Sequence, residues 1–231
     1  MILYAIPTPL GGTPAESLSL PSLEIVRSLR DFAVENAKSA RAFLGAVGMA
    51  VPLRELQIQE IAEGKPELLL QPLREGRSMG LLSEAGCPAI ADPGAALVEA
   101  AHREGLRVVP LIGPSCIILA LMASGLEGQR FAFCGYLPRE AEDRKSRIRE
   151  LERRSRKEQE TQIFIETPYR SDALFAALLE WCSPQTRVCV AADLTLPNET
   201  IATRSVAQWR RAQPALGRRP AVFLLLAHSE G

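Results

Sequence analysis

The sequence predicts an α/β protein of two domains, 1–125 and 126–231. Three observations carry this. Short apolar runs alternate with helical patterns through the first half, which implies mainly parallel pairing. Gly125-Leu126-Glu127-Gly128-Gln129 interrupts that alternation and reads as a linker. Beyond it, strand patterns at 186–193 and 198–204 flank Leu194-Thr195-Leu196-Pro197, a hairpin signal that implies a mixed second sheet.

The chain opens on Ile2-Leu3-Tyr4-Ala5-Ile6, a strand that stops at Pro7-Thr8-Pro9. A helix at 22–31 leads to a strand at 32–35, and a helix at 37–46 leads to a strand at 56–61. A helix at 66–75 precedes the apolar strand 79–83. Residues 83–94, Ser-Glu-Ala-Gly-Cys-Pro-Ala-Ile-Ala-Asp-Pro-Gly, form the loop between that strand and a helix at 94–104. A strand at 106–112 ends in Gly113-Pro114-Ser115, and a helix covers 115–123. In the second domain, strands fall near 131–135, 161–166, 186–193, 198–204 and 220–228, with helices near 140–158 and 169–182.

Three strands of the first domain thus end in loops rich in Pro, Gly and Ser. Open α/β sheets bind ligands at the carboxyl ends of their strands. Gly86 and Gly94 permit close backbone approach or positive φ, while Pro88 and Pro93 stiffen the path. Such loops offer backbone groups without bulk and suit a small molecule.

Composition narrows the class. Lys+Arg and Asp+Glu are both 27, so net charge is zero, and the positive excess of a dedicated nucleic-acid binder is missing. Cys87, Cys116, Cys134, Cys182 and Cys189 are scattered and odd in number, which fits a reduced, cytoplasmic chain. With two histidines and no paired-cysteine motif, no metal site is expected. The opening residues lack a basic n-region, so no signal peptide is expected. Residues 108–126 carry no charge and approach the length of a membrane span, but Pro110, Gly113 and Pro114 cut them into strand, turn and helix. Residues 139–160 hold nine Arg/Lys and seven Asp/Glu, read as a solvated helix held by i,i+4 ion pairs. Within it, Arg153-Arg154-Ser155-Arg156-Lys157 is the part suited to RNA phosphates.

Several long motifs keep one order along the chain. They are Pro7-Thr8-Pro9-Leu10-Gly11, then residues 80–94, then Val108-Val109-Pro110-Leu111-Ile112-Gly113-Pro114-Ser115. Ser124-Gly125-Leu126, residues 130–139 and Phe164-Ile165-Glu166-Thr167-Pro168-Tyr169-Arg170 follow. In these the chain resembles the tetrapyrrole-methylase superfamily of S-adenosylmethionine-dependent methyltransferases. Within it the likeness is to bacterial 16S ribosomal RNA 2′-O-ribose methyltransferases. Those enzymes carry an acidic pair and Thr-Arg-His-Thr near the second strand. Here the segment is Glu35-Asn36-Ala37-Lys38-Ser39-Ala40-Arg41, so the second acid and both threonines are absent.

The resemblance implies two α/β domains with S-adenosylmethionine in the cleft between them, and a homodimer. The cofactor would lie against Thr8, Pro9, Leu10 and Gly11, against Ser83, Glu84, Ala85, Gly86 and Pro88, and against Gly113, Pro114, Ser115 and Cys116. A hydroxyl acceptor must lose a proton, and Glu35 and Glu166 are the candidate bases. Glu166 has the alternative of pairing with Arg170, and Glu35 that of capping the helix near Ala37. Lys38, Arg41, Arg139 and Arg170 would bring positive charge to an RNA substrate. Leu68-Leu69-Leu70 is either an apolar face that a dimer would cover or part of the core. Three activities stay open: methylation of ribosomal RNA ribose, methylation of a tetrapyrrole-like small molecule, and a degenerate module that binds S-adenosylmethionine without catalysis.

Overall fold

A computed structural model describes residues 1–61 and 64–227. The chain forms two compact units, Met1–Ser115 and Cys116–Gly231.

The first unit runs β1 (Ile2–Ile6), α1 (Pro14–Ser17), α2 (Leu20–Ser28), β2 (Asp31–Val34), α3 (Ala37–Val47), β3 (Gln57–Glu60), α4 (Gln71–Arg74), β4 (Met79–Leu82), α5 (Ala95–Arg103) and β5 (Arg107–Pro110). Its five strands are ordered β3-β2-β4-β1-β5, and every neighbouring pair is parallel. Successive side chains of a strand point to opposite faces, so each strand feeds two cores. Phe32, Val34 and Leu82 pack with Leu23, Val26 and Leu44 on one side. Ala33, Leu81 and Leu3 pack with Leu70, Leu73 and Leu97 on the other.

Two helices differ from expectation. α2 begins at Leu20, where the Ser19 side chain accepts from Ser22 N, and it stops at Ser28 because Asp31 already starts β2. The helix expected at 66–75 is a 3₁₀ turn, Pro66–Leu70, followed by short α4. Pro72 lacks the N–H that a continuous α-helix would need there. Leu70 is fully buried and Leu68 is exposed, so the three leucines do not form one open face.

The second unit runs α6 (Cys116–Ser124), β6 (Phe131–Tyr136), α7 (Ala141–Glu158), β7 (Thr161–Glu166), α8 (Ser171–Trp181), β8 (Arg187–Ala192), β9 (Thr200–Ser205), α9 (Val206–Arg211) and β10 (Ala221–Leu226). Its sheet is ordered β6-β7-β10-β8-β9. β6 and β7 are parallel and the other pairs antiparallel, a mixed sheet with the expected β8–β9 hairpin. His228, placed at the end of the last strand by the sequence, lies outside the described residues. Phe164 stacks on Phe223 at 6.0 Å between centroids, and Phe175 meets Trp209 edge-on at 5.3 Å. Trp209 Nε1 donates to Val188 O, which satisfies the buried indole.

The units divide between Ser115 and Cys116 rather than at 125, because α6 packs against β8, β9 and β10. The uncharged segment 108–126 is β5, a turn and α6, and among the described residues no helix is long and apolar enough to cross a membrane. Charged α7 buries only Ile148, Leu151, Glu152 and Ser155. Its ion pairs Lys145–Glu142 and Arg147–Glu150 are spaced i,i+3, and Lys145 and Arg149 lie over the Trp181 ring.

Candidate active site

In the first unit, three strand-end loops meet. The loop after β1 and the loop after β4 join through Thr8 and Gly86. Thr8 N donates to Gly86 O at 2.8 Å, and Gly86 N donates to Thr8 O at 3.0 Å. Thr8 Oγ1 donates to Ser83 O, and Ser83 Oγ to Gly86 O, so both hydroxyls hold loop to loop. Gly86 sits at φ +77° with Leu10 against it, a conformation that strains any side chain. The third loop approaches through Gly113: a Cβ there would lie 2.5 Å from Pro7 Cβ and 2.9 Å from Leu18 Cδ2. Only glycine fits that crossing. Cys87 Sγ donates to Pro114 O, and burial pushes this thiol up.

Thr8, Ser83, Gly86 and Pro88 are buried, while Pro9, Leu10, Gly11, Gly113, Pro114 and Ser115 are half-buried. Glu84 and Ala85 face solvent. Of the expected cofactor residues, all but Cys116 therefore belong to one set of loops in the first unit. Cys116 opens α6 and belongs to the second.

Acidic groups gather beside these loops. Glu35 continues the ladder, with its N donating to Leu82 O, and its Oε2 accepts from Glu84 N at 2.9 Å. Its Oε1 has no hydrogen-bond partner among the described residues. Glu35 does not cap α3; Asn36 does, through Oδ1 to Lys38 N and Ser39 N, because its side chain is the right length for the first turn. Ser39 Oγ donates to Glu84 Oε1. Asp92 is held up to about 6, by burial first and by the negative Glu35 second, against a hydrogen bond from Ser83. Lys38 and Arg41 are exposed on α3, with Arg41 Nη1 donating to Ala37 O on its own helix.

The same loop carries strain. Ala89 and Ala91 both adopt φ +66°, and Ile90 between them is 48% exposed. Left-handed backbone costs a non-glycine residue about 1–2 kcal/mol. Strain of this kind persists where surrounding structure over-determines it, and it concentrates at ligand sites.

In the second unit, Arg139, Glu166 and Arg170 line one cavity of about 430 Å³ with Tyr136, Leu137, Pro138 and Thr167. Glu166 ends β7 with its side chain fully buried. Oε1 accepts from Thr167 N at 2.7 Å. Oε2 lies 2.8 Å from Arg170 Nη2, an ion pair whose angle falls short of a hydrogen bond. Arg170 Nη2 also reaches the carbonyls of Leu137 and Pro138. Oε1 is thus hydrogen-bonded and Oε2 is held by charge alone, so Glu166 pairs with Arg170, the alternative the sequence offered. Exposed Tyr136 offers an aromatic wall.

A family model for tetrapyrrole (corrin/porphyrin) methylases matches residues 18–209. The chain belongs to this family. As a tetrapyrrole methylase it is a methyltransferase. It is 34% identical over 200 residues to a Vibrio cholerae protein named ribosomal RNA small subunit methyltransferase I, an alignment covering 87% of this chain and 67% of that protein. It is 31% identical over 194 residues to the protein of the same name from Bacillus subtilis, covering 84% and 64%. Among solved structures it resembles the methyltransferase CobJ, at TM-score 0.63 and 19% identity over 100% of this chain and 96% of that one. It also resembles a uroporphyrin-III C-methyltransferase from Thermus thermophilus, at TM-score 0.56 and 19% identity, covering 97% and 94%. These two likenesses show the fold.

Two groups, one beside the loops of the first unit and one lining the cavity of the second, are not singled out by sequence reasoning. Asp92 stood inside the quoted loop, but its meaning comes from closeness to Glu35, which spacing does not reveal. Tyr136 also stood in a quoted motif, and an aromatic at a strand end was the signal that would have found it. Among the described residues no group of three or more His, Cys, Asp or Glu is placed to hold a metal ion.

Proposed function

We propose that the chain transfers a methyl group from S-adenosylmethionine to a ribose 2′-hydroxyl of small-subunit ribosomal RNA. The observation that carries this is the likeness to the ribosomal RNA methyltransferases, which runs through both units. The residues present suit the cofactor. The three loops bring backbone groups together with no side chain at Gly86 and Gly113. Glu35, Glu84 and Asp92 supply a negative field, which favours a cationic sulfonium and ammonium. Bound S-adenosylmethionine supplies an electrophilic methyl, so the displacement asks the protein chiefly for positioning.

The proposed proton acceptor is Glu35, through the Oε1 that its bond to Glu84 leaves open. On the RNA side, Tyr136 gives a base a face to stack on, and Arg139 and Arg170 give its phosphates charge. Lys38 and Arg41 add charge on α3. Action on ribosomal RNA places the protein in the cytoplasm. A homodimer, which the family resemblance implies, completes the reading and is tested by light scattering.

Calorimetry with S-adenosylhomocysteine should show one site, lost in folded Gly86→Trp. Incubation with labelled S-adenosylmethionine and small ribosomal subunits should label the RNA. Glu35→Gln, whose amide oxygen still accepts from Glu84 N, should lower that labelling at least about 100-fold, with a far smaller loss of affinity for S-adenosylhomocysteine, which lacks the sulfonium charge. Labelling of a tetrapyrrole instead, or undiminished transfer by Glu35→Gln, would overturn the reading.

A further inference from the structure

A second cavity of the second unit, open and about 680 Å³, lies where β8 begins and β9 ends. Arg187, Arg204, Thr203, Ser205, Gln185 and Gln208 are among its lining residues, and no carboxylate is. It shares no residue with the Tyr136 cavity.

Its two arginines lack the partners that others in this chain have. Arg74, Arg77, Arg170 and Arg219 each pair with an acid. Among the described residues neither Arg187 nor Arg204 does. Arg187 Nη1 reaches Gly125 O only at 3.5 Å, and its Nε is buried with no hydrogen-bond partner. Arg204 lies over the Trp209 ring, its Cζ 4.7 Å from the centroid. A guanidinium held by a ring face keeps N–H donors for a second partner. Register places Arg187 opposite Ser205 and Arg204 opposite Val188, so the two side chains leave the sheet on opposite faces, and both line the cavity at the edge of the sheet. β9 is an edge strand, which presents backbone N–H groups on its outer side.

The donors outnumber the acceptors, the charge is positive, and the volume falls in the range of ligand sites. An oxyanion carried on a larger group fits this description. We propose that the cavity receives a phosphodiester of the RNA acceptor together with the nucleotide that carries it. The proposal rests on the RNA reading above and adds a contact remote in sequence from the loops of the first unit.

Fluorescence anisotropy with a 5′-labelled 20-nucleotide single-stranded RNA, titrated from 50 to 300 mM salt, tests it. The double variant Arg187→Gln/Arg204→Gln should bind at least tenfold more weakly, with the salt slope reduced by about two. The double variant Arg187→Lys/Arg204→Lys should recover most of both, because lysine keeps the charge. S-adenosylhomocysteine affinity and melting temperature should stay at wild-type values throughout. The pair Arg54→Gln/Arg103→Gln, exposed in the first unit, controls for net charge. Gln variants that bind like that control would overturn the site and leave the RNA reading standing. A loss that lysine does not rescue, with a lowered melting temperature, would overturn it as a structural effect. Wild-type protein that fails to bind the RNA would overturn both.

Discussion

Replacing Gly113 by alanine tests the crossing of the first and third loops. The added Cβ would sit 2.5 Å from Pro7 Cβ, 2.8 Å from Pro7 Cγ and 2.9 Å from Leu18 Cδ2. Carbon atoms rest at about 3.5–4.0 Å, so the loops must part by roughly 1 Å. A proline ring is tied to its own backbone and has no rotamer by which to retreat. Overpacking of this kind costs about 2–3 kcal/mol, and for a chain of this size each kcal/mol lowers the melting temperature by about 3 °C. A fall of about 6–9 °C is therefore expected. The parted loops should also bind S-adenosylhomocysteine at least about tenfold more weakly, which is 1.4 kcal/mol. Gly105→Ala is the control, because Gly105 has φ +67° but nothing within 4 Å of the missing Cβ. It should cost about 1 kcal/mol of left-handed strain and leave affinity unchanged. Differential scanning fluorimetry and titration calorimetry read both effects. Gly113→Ala that melts and binds like wild type would refute the reasoning.

Asp92→Asn should stabilise the protein at neutral pH, and the gain should fade in acid. The folded Asp92 titrates near 6 against an ordinary 3.8, so between those values the folded state keeps a proton that the unfolded chain has lost. Stability of the wild type therefore falls as pH rises through that window, by about 1 kcal/mol once partial exposure is discounted. Denaturant melts at pH 4.5 and 7.5 should show the difference between variant and wild type appearing only at the higher pH. Glu166→Ala removes the partner of Arg170 from a buried position and should cost about 2 kcal/mol, with Arg170 left on two carbonyls. Urea melts should show the same midpoint for wild type and variant if the ion pair is without consequence.

The strands were legible where burial is complete on both faces. Residues 79–82 and 221–226 are apolar without interruption, and such runs mark central strands. The strand-end loops were legible because Pro and Gly punctuate them. What failed depends on contacts the sequence does not record. α6 is apolar on nearly every side, so its sequence does not say which sheet it packs on, and the boundary was set too late. Asn36 and Glu35 are adjacent, and only geometry decides which caps α3 and which binds Glu84. The need for glycine at 113 comes from Pro7, more than a hundred residues away along the chain, and no local pattern states it. α9 is six residues long, too short for a helical period to show, although Ser205 and Gln208 form a capping box at its start.

β1 is the first strand of this unit in chain order, and its two partners are the last two. Its neighbours are β4 and β5, so the opening residues of the chain must wait until residue 110 has been synthesised before both edges are filled. Until then a bare apolar strand is on offer to any other edge. Closure over such a span is slow compared with helix formation. The Thr8–Gly86 bridge depends on pairing of β1 with β4, and the Gly113 crossing on the later pairing with β5. Two loops of the candidate site can therefore join once β4 is complete, while the third waits for β5, and a chain halted before residue 107 would carry most of the sheet but lack the Gly113 crossing.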